Sequence, residues 1–279
     1  MIKIGFLGPM GTFSHEALLQ YIKDNKDYIP FGFNTISDLL LAVQKDELDQ
    51  AIAPIENSLE GAVNVTMDMM ASDVDLKIKS EFVLPVVENL LVKKGTRFQD
   101  IKHILSHPQP IGQCIKYINS SFPCAEVRYV YSTAGAAEEV SRGEPGLAAI
   151  GSAAAAEVYG LEILERGIQD GENNHTRFVI VSAAEDSPRT GSDKTSIVFS
   201  TDNEPGSLYR VLDIFNLWDI NMTRIESRPA KNELGKYIFF VDVEGHREDE
   251  NIRDALTMIK RKTSFYKFLG SYPSYKDRD

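Results

Sequence analysis

Short apolar runs alternate with amphipathic segments along most of the chain, the pattern of strands alternating with helices. IKIGFLG (2–8), FGFNT (31–35) and QAIAPIE (50–56) flank helical patterns at 12–24 and 37–43, predicting β-α-β-α-β and a mostly parallel sheet. A helix over 63–70 follows. DLKIKSEFVLPVVENLLV (75–92) is too long for one strand and reads as a strand crossing between two lobes. HILSHPQ (103–109), a helix at 112–118, EVRYVYS (126–132), a helix at 134–140, GLAAIGS (146–152) and a helix at 153–159 repeat the theme. TRFVIVS (176–182) is an apolar strand that can return to the first lobe. Two α/β lobes joined by crossing strands leave a cleft where strand ends meet helix N-termini.

The rhythm then changes. TSIVFST (195–201), a helix at 206–217, NMTRIESRP (221–229), YIFFVDVEG (237–245), a helix at 248–262 and SFYKFLGSYP (264–273) give βαββαβ, the ferredoxin-like order, with two helices on one sheet face. Between the two patterns lies AAEDSPRTGSDK (183–194), polar with Pro188 and Gly191, as an exposed linker needs. The expected division is a domain at 1–184, with lobes of about 1–78 plus 176–184 and 79–175, a linker at 185–193, and a domain at 194–279.

Charge follows the same division. Residues 1–186 hold 15 Lys and Arg against 26 Asp and Glu, and residues 187–279 hold 15 of each, so the whole net charge of −11 lies in the first part. Such a balance repels phosphodiester backbones and anionic membranes, and neither nucleic acid nor membrane is an expected partner. With 43% hydrophobic and 25% charged residues, the chain of 279 has the make-up of a folded globular protein. MIKIGFLG lacks the basic and long apolar regions of an export signal, so a cytosolic protein is expected. Cys114 and Cys124 have no His or Cys at metal-site spacing and read as reduced, structural thiols.

Several turns carry chemistry. GPMGTFSHEA (8–17) is a strand, two glycines and a helix start capped by Thr12 or Ser14; it either holds an anion or only starts a helix, and His15 is expected at the surface. PIENSLEGAV (54–63) puts Glu56, Asn57 and Ser58 at a strand's carboxyl end, suited equally to a cleft ligand and to capping. Glu56 alone among them exchanges a proton at ordinary pH. SHPQPIGQC (106–114) and YSTAGAAEEV (131–140) repeat the arrangement, with Ser132 and Thr133 as an anion rim or as caps. His107, stiffened by Pro108, is structural or an acid–base group. In DGENNHTRFVIV (170–181), Asn173, Asn174, His175, Thr176 and Arg177 precede an apolar strand, and Arg177 is one of five arginines among the first 186 residues. A guanidinium concentrates positive charge for a carboxylate, or pairs with one of the chain's own acids.

Taken together these motifs resemble the prephenate dehydratase family with its C-terminal ACT regulatory domain. The resemblance runs from GPMGTFSHEA through PIENSLEGAV, SHPQPIGQC, STAGAA and NHTRF to ESRP, most specifically over 159–181 and in MTRIESRP (222–229). It implies a two-lobed periplasmic-binding-protein-like (type II) α/β catalytic domain plus a ferredoxin-like ACT domain, in the monofunctional form. It also implies decarboxylation and dehydration of prephenate to phenylpyruvate, with no cofactor and no metal, because aromatisation drives the reaction. By resemblance Thr176 is tied to catalysis, read as a positioned donor to the departing hydroxyl and backed by Glu56 or a water. Arg177 would bind carboxylate, and Asn57, Ser58, Ser132, Thr133, Asn173 and Phe178 would complete the substrate site. L-Phenylalanine would inhibit as end product at the turn of Gly206, Ser207 and Leu208, with Asn221 and the strand residues Glu226, Ser227, Arg228 and Pro229, at a subunit interface of a homodimer or homotetramer. A chain ending near Ala184 is then expected to stay active and lose its response. Arogenate dehydratase, and a two-lobed protein that only binds its ligand, are the competing readings.

Overall fold

The computed structural model describes residues 1–23, 25–171, 173–184, 187–230 and 237–275. The chain opens with β1 (Ile2–Leu7), α1 (Phe13–Ile22), β2 (Tyr28–Phe33), α2 (Ile36–Gln44) and β3 (Gln50–Asn57), and β1 pairs with β2 in parallel. A two-residue β4 (Gly61–Ala62) lies beside β3, followed by α3 (Asn64–Asp68) and a π-helical turn, Met69–Asp73. The long apolar run is two strands, β5 (Lys77–Pro85) and β6 (Asn89–Val92). Pro85 ends the first, since it offers no N–H to continue a ladder.

Then come β7 (His103–Ser106), α4 (Pro108–Gln113), α5 (Ile115–Ser121), β8 (Glu126–Tyr129), α6 (Thr133–Arg142), β9 (Leu147–Gly151), α7 (Ala153–Tyr159), β10 (Glu162–Glu165) and β11 (His175–Ser182). The helix expected at 112–118 is in fact α4 and α5, broken at Cys114. It starts early because Pro108 suits a first helical position and the His107 ring accepts from the Gln109 N–H at 3.3 Å. Strand β10, short and half glutamate, has no period-2 signal and was not anticipated; it pairs antiparallel with β6.

The strand orders are β2-β1-β3-β11-β5, with β11 in the first sheet as expected, and β10-β6-β9-β7-β8. Alternation along β6 fills both faces of the second sheet. Leu90 and Val92 pack with Ile104, Ile118 and Ile150 on one side, and Leu91 with Leu105, Ala136 and Ala155 on the other. The tail is β12 (Asp193–Ser200), α8 (Ser207–Leu217), β13 (Met222–Pro229), β14 (Tyr237–Glu244), α9 (Glu250–Lys262) and β15 (Phe265–Pro273), in the order β13-β14-β12-β15. This is the expected class, α/β followed by a ferredoxin-like βαββαβ.

Internal contacts gather the chain into two compact units. One is Met1–Leu39, Ile52–Gly61 and Val83–Phe178; the other is Leu40–Ala51, Ala62–Phe82 and Val179–Asp279. In the second unit, Ile197, Phe199, Val241 and Val243 meet α8 and α9 through Val211, Phe215, Ile252 and Ile259. The opposite sheet face is buried as well. Lys194 Nζ reaches Glu81 at 2.8 and 3.0 Å, Lys267 Nζ reaches the Val74 carbonyl at 2.5 Å, and Ser187, itself buried, donates to the Lys79 carbonyl at 2.5 Å. Gly270, at φ +145°, lets β15 come so close that a Cβ would stand 2.5 Å from the Ile78 carbonyl oxygen. The exposed linker is therefore only partly exposed: Ser187 and Asp193 are buried, while Glu185 and Asp186 lie outside the described residues.

Candidate active site

The carboxyl end of β3 and the start of β11 meet in the first unit. Asn57 Nδ2 donates to Asn174 Oδ1 at 2.8 Å, Thr176 Oγ1 at 2.9 Å and the His175 carbonyl at 3.3 Å. Its Oδ1 takes the N–H groups of Leu59 (2.9 Å) and Glu60 (3.0 Å), which fixes the amide's orientation chemically, because only the NH2 side can face Thr176. Ser58 and His175 exchange two bonds, Ser58 N–H to the His175 carbonyl and His175 N–H to Ser58 Oγ, both 2.9 Å. The Ser58 hydroxyl donates to the Asn173 carbonyl at 2.7 Å. Thr176 thus receives a hydrogen bond from Asn57 and keeps its own proton for an acceptor.

Arg177 Nη1 stands 3.5 Å from Glu56 Oε2, with the Arg177 side chain 13% and the Glu56 side chain 38% exposed. Asn173 offers its backbone carbonyl, whereas the buried Asn174 carries the side-chain link, donating to Gln113 Oε1 at 2.9 Å. Neither Asn174 nor Gln113 is among the residues for which the sequence implied a role at the substrate site. NN before the strand and the Gln of SHPQPIGQC were visible, yet which asparagine turns inward depends on backbone phase. Phe178 is 1% exposed and sits in the core. Ser132 caps α6, its Oγ accepting from Gly135 N–H at 2.9 Å, and Thr133 is buried beside it. Ser132 also lines an open cavity of about 700 Å3 with His107, Tyr129 and Tyr131.

The glycine turn has an internal role. His15 is 3% exposed, not at the surface, and its Nδ1 accepts the Gly11 N–H at 3.2 Å. Burial holds its imidazole below the ordinary value, with Glu157 opposing the shift. Gly11, at φ +86°, lies so near α7 that a Cβ would be 3.1 Å from Ala155 Cα, and Ser152 Oγ donates to the Gly11 carbonyl at 2.8 Å. The Thr12 oxygen takes the His15 N–H at 3.2 Å. A helix cap, not a ligand, accounts for those groups.

Val86 N–H reaches the Asn174 carbonyl at 2.8 Å, and two residues on, Glu88 is 1% exposed with no partner at Oε2 among the described residues. Burial, helped by the like charge of Glu16, pushes the Glu88 carboxyl from 4.5 up to about 8. Between those values the folded chain keeps a proton the unfolded chain has lost. The group's contribution is full at low pH and is lost as pH rises, roughly a few kcal/mol in all. Glu88→Gln is therefore expected to exceed the parent in urea stability at pH 8 and to match it near pH 4.5. A gap of the same size at both would rule out titration of Glu88.

In the second unit, Gly206, Ser207 and Leu208 line a cavity of about 380 Å3 with Thr201, Asp202, Tyr237 and Phe239. Asn221 gives its carbonyl to Glu244 N–H at 3.0 Å. Ser227 is paired with Phe239 and Pro229 with Tyr237, whereas Glu226 and Arg228 alternate to the other sheet face.

The family model for prephenate dehydratase matches residues 4–186 and that for the ACT domain matches residues 195–257. The bifunctional chorismate mutase/prephenate dehydratase of Aquifex aeolicus (strain VF5) is 41% identical over 272 residues, 98% of this chain and 74% of its own length. Among solved structures, prephenate dehydratase in complex with L-Phe from Arthrobacter aurescens superposes with a TM-score of 0.89 at 36% identity, covering 98% of this chain and 90% of that one. GqqA, described as a novel type of quorum quenching acylase, superposes at 0.87 with 30% identity, covering 99% of this chain and 100% of its own. With the match extending over both the site-bearing region and the tail, the chain belongs to the prephenate dehydratase family and carries an ACT domain behind its catalytic region.

Proposed function

We propose that this enzyme converts prephenate to phenylpyruvate at the Asn57–Thr176 centre, under feedback from L-phenylalanine bound at the ACT domain. In the reaction the ring carboxylate leaves as CO2, its bonding pair completes the aromatic ring, and the ring C–O bond breaks to release hydroxide, which takes up a proton as water. The observation that carries the reading is the 2.9 Å bond from Asn57 to Thr176 Oγ1. An occupied lone pair leaves the threonine proton free to meet the departing oxygen, where charge grows as the bond breaks. Glu56 steadies Arg177 across 3.5 Å and backs Thr176 in handling the proton. Arg177 takes a substrate carboxylate. Ser132, Thr133 and the backbone of α6 hold the other, while Asn173, Ser58 and Phe178 shape the site from behind.

The reading includes a catalytic domain at 1–184, a linker at 185–193 and a regulatory domain at 194–279, acting in the cytosol as a homodimer or homotetramer. Acyl hydrolysis by Ser58 is disfavoured, since its proton is engaged by the Asn173 carbonyl and its oxygen by the His175 N–H, with no side-chain base bonded to it among the described residues. Incubation with prephenate and, separately, with arogenate tests the activity: phenylpyruvate from the first supports the proposal, and turnover of arogenate alone overturns it.

Arg177→Lys keeps the charge and loses the planar fork. KM for prephenate is expected to rise about tenfold, with a smaller change in kcat. Unaltered steady-state constants would assign Arg177 to its ion pair alone.

A further inference from the structure

Strand β13 has two faces with different partners. Its register sets Ile225, Ser227 and Pro229 opposite Val241, Phe239 and Tyr237, and sets Arg224, Glu226 and Arg228 opposite Asp242, Phe240 and Ile238. Directly opposed residues share a face, so Ser227 belongs to the side of Phe239 and Tyr237, which line the cavity, and Arg228 to the reverse side. There its guanidinium forks onto Asp68, Nε to Oδ1 at 2.8 Å and Nη2 to Oδ2 at 3.1 Å, and its Nη1 donates to Asn64 Oδ1. Both Arg228 and Asp68 side chains are only 17% exposed. Arg224 Nη2 adds a 3.2 Å contact to Met67 Sδ on the same helix.

The helix gripped in this way is α3, five residues running into a π-helical turn. So short a helix is not held by its own hydrogen bonds and takes its position from what it packs on. Along the chain it starts six residues after Ser58, so a shift of α3 pulls on the segment that carries Asn57.

We propose that Arg228 is a positioning residue rather than a ligand contact: β13 meets the amino acid on its Ser227 face, and the Arg228–Asp68 fork on the other face carries any shift of the strand into α3 and the segment bearing Asn57 and Ser58. This rests on the reading of the tail as phenylalanine-responsive. An inhibitor changes activity only by favouring one arrangement over another, and a two-bond fork ties helix to strand in distance and orientation.

The test separates binding from inhibition in the full-length protein. Calorimetry measures L-phenylalanine affinity, and prephenate turnover measures inhibition relative to each variant's own uninhibited rate. Arg228→Ala and Asp68→Ala are both expected to bind phenylalanine within about threefold of wild type while the half-inhibitory concentration rises tenfold or more. The exchanged pair, Arg228→Asp with Asp68→Arg, is expected to recover part of the inhibition. Arg228→Lys, which keeps the charge without the fork, gives an intermediate loss and serves where an alanine variant fails to fold. Binding lost in Arg228→Ala yet intact in Asp68→Ala would make Arg228 a ligand contact, and normal inhibition in Asp68→Ala would reduce the fork to a structural tie. A wild-type protein that binds no phenylalanine overturns the regulatory reading itself, and the proposal with it.

Discussion

Thr176→Val lowers kcat for prephenate on the order of 10²-fold or more, with KM changed far less. Valine matches threonine in shape, so strand β11 keeps its packing, and Asn57 keeps Asn174 Oδ1 and the His175 carbonyl as acceptors. What disappears is one donor that matters most as the C–O bond breaks. Thr176→Ser restores the hydroxyl and is expected to retain most of the rate. Asn57→Asp provides a second, independent check. The new carboxylate accepts where the amide donated, so it captures the threonine proton, and kcat should fall by a similar factor although Thr176 is untouched. Wild-type kcat in Thr176→Val would leave Thr176 a strand residue without a chemical role.

Much of the fold could be read because strands and helices alternate in period as well as in space. Buried runs such as Ala51–Ile55 and Val179–Val181 announce themselves by composition. What escaped was set by groups distant in sequence. The break at Cys114 leaves α5 starting at Ile115, where Asp170 accepts the N–H groups of Lys116 and Tyr117, a cap from more than fifty residues away. The burial of His15 depends on Phe6, whose ring lies 5.0 Å away, and on helix α7 close above Gly11. At the site, Asn57 was legible as a polar group at a strand end, Arg177 as one of five arginines in an acidic stretch, and Thr176 through the resemblance of its Thr-Arg-Phe motif. The choice between Asn173 and Asn174 did not, since neighbouring residues differ only in which way each points. The two-faced use of ESRP follows the strand's alternation, but its partner Asp68 lies on an element that no periodicity connects to β13.

Lys194→Met destabilises the protein by about 3 kcal/mol, because it removes the cation that bonds both oxygens of the buried Glu81 carboxylate. The Glu81 side chain is 2% exposed and that of Lys194 16%, with Tyr275 N–H as a further donor to Glu81 at 2.8 Å. For a chain of this size the loss corresponds to a fall in Tm of about 6–12 °C. Glu81→Leu combined with Lys194→Met removes both charges and should recover most of it, since paired burial of the ions adds little over apolar packing. Equal melting of Lys194→Met and the parent would show the pair to be solvated in solution. The same contact bears on truncation. A chain ending at Ala184 loses Lys194, the Lys267 bond to Val74, and the β15 backbone against Ile78, so the 62–82 segment faces water with Met67, Met70, Leu76 and Ile78 all buried in the full chain. Every proposed catalytic residue survives the cut, yet the segment after Ser58 loses its support. The truncated chain is therefore expected to melt well below the full-length protein and to lose activity along with its response to phenylalanine. Cooperative melting at the parent's temperature, with full turnover, would show that the first 184 residues fold without the tail.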